Sequence, residues 1–258
     1  MAVALALNRG APLFNRMRKA ILILPVLLLL LAPQACAWRR ITHEAIAEAA
    51  YQELPENLKD LLDRDKIIEG STWPDRYRHD PDPYGRTFPD HFPRASITQA
   101  ESWLEMAKNS YLDKDYGNAG LHLGIACHYI ADSTCLAHNP PYAYDWDKHG
   151  EFEQQGVGLS PAVPTSIAGF NLRQKLTGFY NAAPTVWQRW LSTRDQEIAQ
   201  EGVDLAASYT YNAWCQALNV PPREAQGITL IDFRVIAGIA LVALVVVIVI
   251  GMRRFYRE

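Results

Sequence analysis

The stretch that decides the architecture is Leu121 to His138, LHLGIACHYIADSTCLAH. Its apolar residues recur at three- and four-residue spacing, the period of an α-helix. Inside it, His128 and Asp132 stand four apart and so stack on one helical face, and His138 follows six residues later, where Asn139 and Pro140 should end the helix. Outward from this segment the same period runs through Thr42 to Leu54, Pro55 to Leu62, Ser96 to Leu112, Tyr116 to about Ser133, Ile167 to Trp190 and Thr193 to Leu218. Strand-like alternation is scarce, so the expected fold class is all-α. The segments Gly70 to Arg94 and Asn139 to Pro164 are rich in Pro, Asp, Tyr and Gly and read as long ordered loops, of a length that is usually functional in a compact domain.

The chain of 258 residues is 49% apolar, and much of that is at its two ends. Arg16, Arg18 and Lys19 precede the apolar run Ala20 to Ala32, and Ala35-Cys36-Ala37 supplies small residues where a signal peptidase reads. Residues 1–37 are therefore expected to be a secretory signal cut before Trp38; the alternative is an anchor that is never cut. A lipoprotein reading through Cys36 is weakened by Pro33. Val235 to Met252 is 18 residues without a charge, flanked by Arg234 and by Arg253, Arg254 and Arg257. At about 1.5 Å per residue it can cross a bilayer core of about 30 Å, and the basic tail 253–258 should stay cytoplasmic. The expected location is thus a single-pass cell-membrane protein with the domain 38–227 on the extracytoplasmic side. That domain carries 17 basic and 26 acidic residues, a net −9, which makes it a poor general platform for nucleic acid. Cys127, Cys135 and Cys215 remain after cleavage, an odd number whose pairing cannot be deduced, and no cysteine ligand is expected.

A second i, i+4 pair, His149 and Glu153, lies on what reads as the next helix. Imidazole and carboxylate are the ligands zinc takes where no thiolate is offered, and a pair on one helical face chelates without bending the backbone. One such pair alone is weak evidence. Five of the seven histidines, His43, His91, His128, His138 and His149, fall in a pattern with Asp75, Asp132 and Glu153, and the cleavage site adds a free amine at Trp38. His79 and His122 fall outside it.

Trp38 at the new terminus, His43 five residues on, the Trp73-Pro74-Asp75 loop, His91, His128-x3-Asp132-x5-His138 and His149-x3-Glu153 together resemble the zinc-dependent phospholipase C and single-strand nuclease superfamily. The resemblance runs from Trp38 to Glu153. It implies an all-α, zinc-dependent phospholipase C-like domain with three zinc ions. Asp75, His91, His128 and Asp132 would hold one and His138, His149 and Glu153 a second. The third would take the α-amine and carbonyl oxygen of Trp38, His43, and the other oxygen of a bridging Asp132. Asp75 is also the expected catalytic residue, orienting or deprotonating the attacking water. The loops Gly70 to Arg94 and Asn139 to Lys148 are expected to border the cleft.

The implied chemistry is phosphoric ester hydrolysis. Glu153 in place of Asp, Phe88 three residues before His91, and the tether favour the phospholipase branch, with Tyr77 and Phe88 as pocket residues and a phospholipid or other phosphodiester as substrate. Arg76 stands where that branch has a Tyr, and Ile41 where it has an acidic headgroup contact, so choline specificity is not implied. The alternative is a single-strand nuclease or 3'-nucleotidase, favoured by the short step from Trp38 to His43 and by stacking aromatics among Tyr77, Tyr84, Phe88, Tyr142, Tyr144 and Trp146. A third class is a non-catalytic, metal-stabilised binding module.

Overall fold

Among the described residues every regular element is helical. A computed structural model describes residues 38–88, 91–139, 145–162, 164 and 166–223. The expected signal over 1–37, the span Val235 to Met252 and the tail 253–258 lie outside the described residues, as do Tyr142 and Tyr144. No helix among the described residues is long and apolar enough to cross a membrane. In chain order the elements are α1 (Arg40–Gln52), α2 (Glu56–Lys59), α3 (Arg64–Gly70), α4 (Trp73–Arg76), α5 (Pro93–Leu112), α6 (Tyr116–Thr134), a 3-10 turn (Leu136–His138), α7 (Trp146–Gly156), α8 (Leu172–Thr193) and α9 (Gln196–Ala217).

The helices start where short acceptor side chains can satisfy their first free N–H groups. Asp63 accepts from the N–H of Lys66, Asp115 from Asn118, Asp145 from Lys148 and Asn171 from Gln174. Two of these caps account for departures from the sequence-level reading. Asp63 opens α3, whose seven residues are too few to show a period. Asp145 opens α7, the helix on which the spacing of His149 and Glu153 reads, inside the otherwise loop-like segment Asn139 to Pro164, and the helix buries His149, Phe152 and Glu153 on one face. The segment Gly70 to Arg94 likewise contains the single-turn α4. The helix expected from Ile167 begins at Leu172, where the Asn171 side chain caps it by accepting from the Gln174 N–H, and the Ile167 N–H is taken instead by Asn212 Oδ1 at 2.9 Å.

Helix α6 is the axle of the fold: every residue from Ala119 to Thr134 is buried. It packs against α5, α3 and α9, and more lightly against α1 and α8. The approach of α3 is backbone on backbone. A Cβ on Gly124 would stand 2.1 Å from the Ile67 carbonyl oxygen, and one on Gly70 would stand 2.3 Å from that of Leu121, so neither position accepts a side chain. This contact sets the end of α3 beside the middle of α6, and α4 follows two residues later. Cys127, Cys135 and Cys215 are all buried and free.

Candidate metal centre

The last turns of α6 place His128 and Asp132 one above the other, both fully buried. His128 is oriented from α3: its Nδ1 donates to the Ser71 carbonyl at 2.9 Å, which leaves Nε2 facing the site. The chain then leaves the helix at Cys135, with φ −81° and ψ 116°, and the 3-10 turn folds His138 back toward Asp132. The first turn of α1 lays the His43 ring on that of His128, with centroids 4.1 Å apart. His91, just before α5, and Asp75, on α4, close the near side. On the far side α7 supplies His149 and Glu153.

Asp132 is the hub. Its Oδ2 lies 2.7 Å from His91 Nδ1 and 3.2 Å from His128 Nε2, while its Oδ1 lies 3.5 Å from both His43 Nε2 and His138 Nδ1. Asp75 Oδ1 is 3.7 Å from His91 Nδ1 and 3.8 Å from His128 Nε2. Glu153 Oε1 is 2.6 Å from His149 Nε2 and 3.3 Å from His138 Nε2. All eight side chains anticipated as ligands therefore meet in one region. Trp38 is fully buried beside them: its indole N–H donates to the Ala131 carbonyl, its ring contacts Phe152, and Gly156 leaves it room.

Burial and mutual charge set the proton affinities. Burial would raise the Asp132 carboxyl, but the surrounding His128 and His138 outweigh it and hold it well below the usual carboxylate range. Burial would lower His128, and the charges of Asp132 and Asp75 overcome that and push it up to about 9. His138 is raised against burial by Asp132 and Glu153. His43 is pulled well below its ordinary value, by burial first and by the neighbouring His128 second. Burial raises Asp75.

The residues fit a cluster of zinc ions. Both ring nitrogens of His43, Nε2 of His91, Nδ1 of His138 and of His149, and one oxygen each of Asp75 and Asp132 are buried without a hydrogen-bond partner. Each such atom costs about 1 to 3 kcal/mol unless something else satisfies it. The contacts of 3.5 to 3.8 Å around Asp132 and Asp75 are too long for good hydrogen bonds. They are close to the separation, about 3.4 Å, of two ligands each about 2.0 to 2.1 Å from a tetrahedral zinc. Among the described residues, donor atoms within 4.8 Å of one another form three groups: His43, His128 and Asp132; Asp75, His91 and His128; and Cys135, His138 and Glu153. The thiol is the member that sequence reading missed. Its signal was its position, three residues after Asp132 and three before His138.

Of the two expected pocket residues, Tyr77 is half-buried at the edge of α4, tilted against Trp73 at 5.0 Å with the Arg76 guanidinium over its ring. Phe88 is 1% exposed and stacked on Trp103, and so packs the core. His79 is exposed, and His122 meets Ser110 Oγ at 3.2 Å away from the cluster.

Comparison with known proteins gives one family and two similar solved structures. Residues 42–196 match the model of the zinc dependent phospholipase C family. An alpha-toxin of Clostridium perfringens from an avian strain is similar in structure, with a TM-score of 0.54 and 17% identity over 72% of this chain and 65% of that one. An alpha toxin from Clostridium absonum has a TM-score of 0.50 and 20% identity over 72% and 64%. The match thus spans slightly less than two thirds of either toxin's length. No curated protein matches the chain by sequence.

Proposed function

The chain belongs to the zinc-dependent phospholipase C family, and on that premise we propose that it is a membrane-tethered, extracytoplasmic phosphodiesterase that hydrolyses phospholipids with three zinc ions. Asp75, His91, His128 and Asp132 would hold one ion and His138, His149 and Glu153 another. The amine and carbonyl of Trp38, with His43 and the second oxygen of Asp132, would hold the third. The observation that carries this reading is the convergence of eight side chains from separate segments on one buried region, most of them with donor atoms that nothing in the protein satisfies.

When bound, the ions would polarise the phosphoryl group and make a water nucleophilic near neutral pH. The chain supplies the rest. Asp75 has 16% of its side chain exposed, whereas the other carboxylates and imidazoles of the cluster have at most 6%. It stands at the solvent edge, where it can orient the attacking water and accept its proton, and burial raises its carboxyl toward the range useful for that task. Arg76 is exposed beside it, with its guanidinium 5.3 Å from the centre of the Tyr77 ring. A positive charge at this mouth suits the phosphate of a lipid and disfavours a cationic headgroup.

The membrane supports the same choice of substrate. Val235 follows Gly227 by eight residues, a reach of at most about 28 Å, so a tethered site samples only a thin layer over the bilayer. The test compares full-length protein in liposomes with a form ending at Gly227, on phospholipid and on single-stranded DNA. The tethered form should release lipid headgroups faster than the truncated one. Faster turnover of DNA by both, with no headgroup release, would transfer the assignment to the nuclease branch.

A further inference from the structure

Cys135 stands where α6 ends, fully buried and free. Its sulfur lies in one group with His138 and Glu153, their donor atoms within 4.8 Å of one another. His149 joins them through the 2.6 Å contact of its Nε2 with Glu153 Oε1. His138 turns its Nε2 to Glu153 Oε1 at 3.3 Å and its Nδ1 toward Asp132, and Nδ1 of His149 is buried without a hydrogen-bond partner. The His138 N–H donates to the Cys135 carbonyl at 3.1 Å, which holds the two residues in one tight turn. The other buried thiols differ: Cys127 lies beside the Thr210 hydroxyl and Cys215 beside that of Tyr211, and among the described residues neither falls in such an imidazole and carboxylate group.

We propose that Cys135 is the fourth protein ligand of the zinc ion held by His138, His149 and Glu153, closing that site. The inference rests on the reading of the cluster as a zinc centre. Coordination releases the thiol proton to solvent and forms a sulfur–zinc bond of about 2.3 Å. Four protein ligands fill a tetrahedral zinc, so this ion would fix the turn after α6 against α7 and would meet the phosphoryl group only by becoming five-coordinate. The two ions around Asp132 would keep the open positions.

The test is zinc X-ray absorption on the full-length, zinc-loaded protein. The expected spectrum has a sulfur scatterer at about 2.3 Å, averaging about one sulfur per three zinc ions. Cys135→Ala should lose that scatterer and surrender an additional ion to a mild chelator, whereas Cys127→Ala and Cys215→Ala should keep both. The wild-type spectrum decides even if Cys135→Ala does not fold. Zinc-loaded wild-type protein with nitrogen and oxygen scatterers alone overturns the inference and leaves the zinc reading standing. A sulfur scatterer that survives in Cys135→Ala also overturns it, and a chain that takes up no zinc overturns both.

Discussion

Replacing Asp132 by Asn keeps the shape of the side chain and removes the charge on which four imidazoles converge. The carboxylate is fully buried, with His91 at 2.7 Å, His128 at 3.2 Å, and His43 and His138 both at 3.5 Å. Removing one partner of a buried charged pair costs about 3 to 5 kcal/mol. At about 1.4 kcal/mol per factor of ten, that is at least about two orders of magnitude in affinity for whatever cation the group holds. In the proposed cluster the loss would fall on two ions, because Asp132 has one oxygen toward His91 and His128 and the other toward His43 and His138. Glu153→Gln weakens only the group with His138 and His149. The expected result is that Asp132→Asn retains fewer zinc ions than Glu153→Gln and loses at least about 100-fold in phosphodiesterase rate, with the smaller loss in Glu153→Gln. Metal content by mass spectrometry and turnover of a chromogenic phosphodiester measure both. An Asp132→Asn protein with full zinc and full rate would refute the bridging role.

Three further outcomes are expected. Gly156→Ala should lower the melting temperature, because its Cβ would stand 2.1 Å from Cζ3 of Trp38 and overpacking of this kind costs about 1 to 3 kcal/mol; an unchanged melting curve would mean that Trp38 is not wedged there. Metal-free protein should be most stable near pH 6.5. The stability contributed by His128, raised to about 9, is complete below about 6.5 and is lost as the pH rises toward 9, whereas His43, held well below its ordinary value by burial, penalises the fold as the pH falls below about 6.5. Melting scans of the chelator-treated protein check this, and a melting temperature that climbs steadily to pH 9 would contradict it. Intact mass should place the mature N-terminus at Trp38; residues retained before it would remove the amine from the third zinc site.

The all-α class and the pairing of His128 with Asp132 and His149 with Glu153 were legible because a helix turns local spacing directly into a shared face. Joining the pairs was harder. The return of His138 toward Asp132 depends on the extended backbone at Cys135, and the position of Asp75 depends on Gly70 and Gly124 letting α3 lie against α6. Neither a single-residue break nor a backbone contact across more than fifty residues leaves a periodic trace. The start of helix α7 at Trp146 was obscured by the Pro-, Tyr- and Asp-rich residues before it, although the spacing of His149 and Glu153 already placed both on a helix, and Cys135 was passed over because its short spacing to His138 spans the end of one helix rather than a shared face. Phe88 shows the opposite error: its place three residues before His91 suggested a pocket wall, but the ring packs on Trp103.

The most direct measurement of the central claim is headgroup release from phospholipid liposomes by the full-length protein, before and after zinc removal, alongside Asp75→Asn. Release should stop on chelation, return when zinc is added back, and fall steeply in Asp75→Asn. A zinc-loaded wild-type protein that cleaves no phospholipid, or one whose release is indifferent to chelation, would contradict the account.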